Sequence, residues 1–127
     1  MPGPARAGLL IYAKHTQNMS RFYEELFDMR ILVADQMHHI VENDDIQVII
    51  HAIPAHIAEH VRIAVPPELR EEQAFKPFFT VTSLVNAEER AQALGGFSFG
   101  PTWDGPGFTM RNLCDPEGNI VQVRAFT

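Results

Sequence analysis

Histidine is the side chain best suited to hold a metal or move a proton near neutral pH, and the 127 residues contain six. Two of them frame His56-Ile57-Ala58-Glu59-His60. On a helix, His-x-x-Glu-His puts two imidazoles on one face, as in one class of zinc peptidases. That chemistry needs a further ligand at a fixed helical position and a larger body. This segment instead lies between Pro54 and Pro66 and reads as a solvated helical turn. His38 and His39 are adjacent in a β-prone run, where neighbours point to opposite faces, so one at most reaches a given site, as hydrogen-bond donor or base. His51 shares the alternation of Gln47 and Ile49, while Gln122 shares that of Ile120 and Arg124. Gln47, His51, Gln122 and Arg124, with His39, are thus a few polar groups among apolar ones, the usual make-up of a small-molecule pocket. Trp103, near Phe97, Phe99 and Phe108, offers a stacking wall for a planar ligand. Plain readings stand beside these: aromatic residues that are simply core, and polar ones at solvated strand ends.

Other chemistries find no support. Cys114 is the only cysteine, which excludes an internal disulfide and a cysteine-rich zinc site and leaves a buried structural thiol as its expected role. There is no Gly-x-Ser-x-Gly, no phosphate-cradling glycine loop and no dinucleotide fingerprint. The net charge is −6, from 16 acidic and 10 basic residues, and no two basic residues are adjacent, so nucleic acid is not an expected partner. The longest apolar stretches, Gly8 to Ala13 and Val48 to Ile50, fall far short of the roughly 20 residues that span a bilayer, so no membrane is expected. No apolar h-region marks a signal peptide near the start, and the expected location is cytoplasmic.

The elements that must position these residues form two similar series. Gly8 to Ala13 is a short apolar run of strand length. Met19, Phe22, Tyr23 and Leu26 then fall at i, i+3, i+4 and i+7, which predicts an amphipathic helix over about 18–27. Arg30 to Ala34, Met37 to Glu42 and Ile46 to Ala52 are β-prone runs separated by turn residues. The scheme repeats with a strand at Phe78 to Val81 and a helix whose predicted N-cap is Asn86, with Glu89 three residues on. Strands follow at Phe97 to Trp103, Phe108 to Leu113 and Asn119 to Phe126. Sliding the halves by 68 positions aligns Ile11 with Phe79, Asn18 with Asn86, Tyr23 with Ala91 and Leu26 with Leu94. The expectation is one α+β domain over 1–127: a βαβββ module at about 6–53, a connector at about 54–74 with a short helix at Ala55 to His60, and a second βαβββ module at about 75–127.

Asp115-Pro116-Glu117-Gly118-Asn119 opening the strand Ile120-Val121-Gln122-Val123, together with Phe22-Tyr23 and Leu26 on the first helix, resembles the glyoxalase, bleomycin-resistance and extradiol-dioxygenase superfamily, the vicinal oxygen chelate (VOC) proteins. The chain has Phe27-Asp28 where the family typically carries Leu-Gly. The resemblance implies a curved mixed sheet of about eight strands around a cleft, a small organic molecule as ligand, and often a homodimer.

It also implies a divalent metal, held in the family's enzymes by His, Glu or Gln on the first and last strands of each half. Here those positions fall near Ala7 or Gly8, at Ile49, near Lys76 or Pro77, and at Gln122, of which only Gln122 offers a donor, a neutral amide oxygen weaker than a carboxylate. His51 lies two residues beyond Ile49 on the same strand face, yet two ligands fall short of the usual three. The expected function is therefore that of a metal-free small-molecule-binding protein without a cofactor. A metal-dependent lyase, isomerase or dioxygenase of the same superfamily is the alternative, and a cofactorless enzyme using His39 or His51 as base is a third reading.

Overall fold

Alternating apolar side chains make Gly8–Ala13 the first strand, β1, whose residues Leu9, Ile11 and Ala13 turn toward the following helix while Leu10 and Tyr12 turn away. In the computed structural model, which describes residues 4–127, that helix is α1, Thr16–Leu26. Its stripe Met19, Phe22, Tyr23 and Leu26 is buried as the 3.6-residue period requires. The helix stops because Asp28 enters the left-handed region at φ 51°, which Asp tolerates, and Met29 donates its N–H back to the Glu24 carbonyl at 2.9 Å.

Strands β2 (Arg30–Ala34), β3 (His38–Glu42) and β4 (Gln47–Ala52) follow, and the short α2 covers only Ala55–Ala58. Both intervening turns are built on carboxylate or amide oxygens. Asp35 Oδ1 accepts from the Met37 and His38 N–H groups, and Asn43 Oδ1 from those of Asp45 and Ile46. The strand order is β1-β4-β3-β2, with β1 parallel to β4 and the other pairs antiparallel. Val41, Val48 and Ile50 form the buried helix-side face. These elements belong to one compact unit, Met1–Ile63.

The second unit, Ala64–Thr127, repeats the order as β5 (Phe78–Thr80), α3 (Leu84–Ala93), β6 (Phe97–Gly105), β7 (Phe108–Cys114) and β8 (Ile120–Phe126). Its strands run β5-β8-β7-β6, again with one parallel pair. The eight strands thus form two four-stranded mixed sheets, an α+β arrangement. The helix begins one turn earlier than expected. Ser83, in extended conformation, is the N-cap, and its hydroxyl accepts from the Asn86 N–H at 3.2 Å, so Asn86 is the third helical residue rather than the cap. The turn before β8 is held by Asp115, whose Oδ1 accepts from the Glu117 and Asn119 N–H groups. Gly118 there has φ 87°, and a Cβ would collide with the carbonyl oxygen of Glu68, so no other residue fits unstrained.

The two registers relate the halves. Leu10 pairs with Ile49 as Phe78 pairs with Gln122, so the repeat offset grows from 68 at the first strand to 73 at the last. A gap-free alignment holds for strand and helix only, and the long β6–β7 hairpin absorbs the difference.

Candidate functional site

Each sheet has a helix-covered face and an open one, and alternation decides what stands on each. On the first sheet the open face carries Leu10, Ile49 and Ile40 in a row, with polar groups at both ends. At one end Glu42 is wholly buried. Arg30 Nη2 donates to its Oε2 at 3.1 Å and Gln47 Nε2 to its Oε1 at 3.0 Å, which satisfies a carboxylate that would otherwise be costly to bury. Gln47 is thereby committed to Glu42.

At the other end Tyr12, which is 62% exposed, meets His51 edge-on, with 5.6 Å between the ring centroids. His51 stacks at 6.4 Å on His38, and His38 Nδ1 lies 3.1 Å from Asp35 Oδ1. The Nδ1 of His51 is 2.8 Å from the Ala52 carbonyl oxygen, so in the neutral ring that nitrogen carries the proton and Nε2 keeps its lone pair. The histidine beside His51 is therefore His38. His39 pairs with Ile50 and lies on the helix-covered face with Val41, away from Gln47 and His51. The pairing of His38 with His51 and of His39 with Ile50 decides which imidazole reaches the open face, and one residue of register would exchange them.

The second sheet brings together three of the expected residues. Gln122 and Arg124 stand on its open face with Phe78, Phe108, Met110 and Asn112, and Trp103, 40% exposed, joins them through its pairing with Met110. Arg124 is the centre of this group. Its guanidinium carbon sits 3.8 Å from the Phe78 ring centroid and 4.4 Å from that of Phe108, and its Nη2 donates to Gln122 Oε1 at 3.0 Å. Each such cation–π contact stabilises by about 0.5–2 kcal/mol. Its Nε is buried without a partner, which costs about 1–3 kcal/mol. Lys76 adds a second cation, its Nζ 3.3 Å from Asn112 Oδ1 and 6.0 Å from the Trp103 ring centroid. In the sequence Lys76 stands out only as a misfit for a metal and Phe108 only as part of an aromatic wall. Neither signalled the cluster, because Phe78 and Phe108 reach Arg124 only through strand pairing.

The donors suit a divalent metal poorly. Among the described residues no three His, Cys, Asp or Glu side chains are grouped to hold an ion. The open-face positions are Gly8 and Ile49 in the first sheet, neither with a side-chain donor. In the second, the amide oxygen of Gln122 already accepts from a guanidinium, so an ion on that oxygen would lie next to a fixed positive charge. His56 to His60 does not form a peptidase motif, since α2 ends at Ala58 and His60 instead meets Glu59 at 3.3 Å. Cys114 is buried, and burial pushes its thiol up to about 11, so it is not a nucleophile at neutral pH.

No protein-family profile matches the sequence, and no curated protein sequence does. Solved structures match the fold along its length. A glyoxalase/bleomycin resistance protein/dioxygenase family enzyme from Burkholderia phytofirmans PsJN superposes with a TM-score of 0.72 at 15% identity, over 97% of this chain and 99% of that one. The fosfomycin resistance protein FosX from Mesorhizobium loti does so with 0.66 at 17% identity, over 100% and 95%. A bleomycin-binding protein complexed with bleomycin gives 0.58 at 17%, over 95% and 97%. No helix among the described residues is long and apolar enough to cross a membrane.

Proposed function

We propose that this chain, whose fold is that of the glyoxalase, bleomycin-resistance and dioxygenase superfamily, binds a small amphipathic or aromatic organic molecule, for sequestration or sensing, without a resident metal. The observation that carries this reading is the open face of the second sheet, where Gln122, Arg124 and Trp103 meet among apolar side chains. A few directed polar groups on an apolar ground are what orient a small ligand, and burial of its apolar body supplies most of the affinity. His51, beside Tyr12, is a further contact of the same kind on the first sheet. A structurally similar protein is complexed with bleomycin, which supports a small organic molecule as the ligand. In this reading the protein acts in the cytoplasm as a homodimer. Light scattering across micromolar concentrations tests the dimer, and a monomer throughout counts against it.

A thermal-shift screen of aromatic and amphipathic compounds tests the binding. A ligand at a hundred times its Kd stabilises by about 2.7 kcal/mol and raises Tm by several degrees. Elemental analysis of untagged protein, offered Zn, Ni, Mn and Fe and then desalted, tests the metal. A near-stoichiometric ion lost on changing His51 or Gln122 would favour the lyase, isomerase or dioxygenase reading instead.

A further inference from the structure

We infer that the ligand of the second sheet's open face is an organic anion, whose carboxylate is taken by Arg124 and Gln122 while its apolar body lies against Trp103. The inference rests on the small-molecule reading above and names the chemical class of its ligand. Its first support is the pairing of the arginines. Arg21 meets Glu25, Arg30 meets both Glu42 and Asp44, and Arg111 meets Glu88, whereas among the described residues Arg124 has no carboxylate within ion-pair distance; Arg6, Arg62, Arg70 and Arg90 also lack one, but only Arg124 combines that lack with a buried Nε that has no partner.

The second support is charge distribution. The chain carries −6 overall, yet the strand residues on this face include no Asp or Glu, and Lys76 adds a second cation through Asn112. A cation would meet two like charges here. A neutral molecule would leave them unanswered, and a carboxylate answers both.

The third support is preorganisation. Two rings, with centroids 3.8 and 4.4 Å from the guanidinium carbon, and the bond from Nη2 to Gln122 hold the fork before any ligand arrives. Nη1 has no partner among the described residues, and Gln122 keeps the N–H donors of Nε2, because its oxygen faces the arginine. Two planar donor groups side by side match the two oxygens of a carboxylate. The buried, unpartnered Nε adds an unmet donor to the same group.

Two probes of one shape separate charge from burial: naphthalene-2-carboxylate and naphthalene-2-carboxamide, titrated into the full chain by calorimetry. The carboxylate is expected to bind at least about tenfold more tightly, a preference that shrinks with added salt. In Arg124→Met the ratio of the two affinities falls to about one, whatever the amide's own affinity becomes. Should Arg124→Met fail to fold, Lys76→Gln, at an exposed position, must reduce the preference roughly threefold. Equal binding of the two probes by the natural chain, or a preference that survives both substitutions, overturns the anion and leaves the small-molecule reading standing. Failure of both probes at millimolar concentration also overturns it, and the small-molecule reading then stands or falls on the thermal-shift screen.

Discussion

The two units follow one strand-and-helix scheme but put their bulk on opposite sides of the sheet. In the first, α1 buries Met19, Phe22, Tyr23 and Leu26, and the open face ends in a carboxylate already neutralised by Arg30 and Gln47. In the second, α3 buries only Ala87 and Ala91, while Phe78, Phe97, Phe99, Trp103 and Phe108 stand on the open face, Phe78 and Phe108 of them against an arginine without a counter-ion. Small helix residues need little room against a sheet, so aromatic volume is not required there and is free to serve the other face. One topology therefore yields a unit whose large side chains secure its core and a unit whose large side chains surround a charge. Binding chemistry is to be sought first in the second.

The largest expected effect tests that division directly. Phe22→Ala should cost about 3–5 kcal/mol in urea unfolding, since Phe22 is fully buried, whereas Phe78→Ala, at a residue 55% exposed, should cost less than about 1 kcal/mol. Similar losses for the two would mean that the second unit's aromatics are core after all. Next in size is Gly118→Ala, expected to lose about 3 kcal/mol, because a positive φ is costly for alanine and its Cβ meets the Glu68 carbonyl. A loss below 1 kcal/mol would show that this turn relaxes easily and does not hold β8, and hence Gln122 and Arg124, in place.

A third test uses the thiol that only the second unit has. Burial raises the Cys114 thiol from 9.0 to about 11. A raised value in the folded state gives stability that is complete below the unfolded value and is lost as pH climbs through the folded one. The natural chain should thus lose about 2–3 kcal/mol between pH 9 and 11 relative to Cys114→Ala. Parallel alkaline curves for the two proteins would refute the buried, protonated thiol.

What the sequence made legible follows the range of the interactions involved. The strands and helices, the two-fold repeat and the Asp115 turn rest on neighbours within a few residues, and they stand close to where periodicity and capping chemistry put them. The cap of α3 lies at Ser83 and not at the expected Asn86: both residues are capable, and Leu84-Val85 between them looks more like strand than first turn. Which histidine faces His51 turned on a single residue of strand register, to which local pattern is blind. The environment of Arg124 was further out of reach. Its residue type and face could be read, but its clamp comes from Phe78 and Phe108 on two different strands, and its lack of a carboxylate depends on what every neighbouring strand presents.

The smallest expected effect sharpens the comparison at the polar end of the first unit. Asp35 accepts backbone N–H bonds from His38 and Met37, and these hold its carboxyl below the ordinary value of 3.8. A lowered value in the folded state gives stability that is present above the unfolded value and is lost as pH falls through the folded one. Asp35→Asn keeps an oxygen for the same N–H groups but removes the charge. The natural chain should therefore be the more stable of the two from pH 7 down to about 5, and the gap should close as pH drops below the usual carboxylate range. Since Asp35 is exposed, the gap will be small and best read as the difference between two urea titrations at each pH. A gap that stays constant into the acid range would assign the stabilisation to turn geometry alone. The Asp35–His38 contact would then be an incidental surface pairing, and the first sheet's open face would carry no charge that matters to its stability except the buried Glu42.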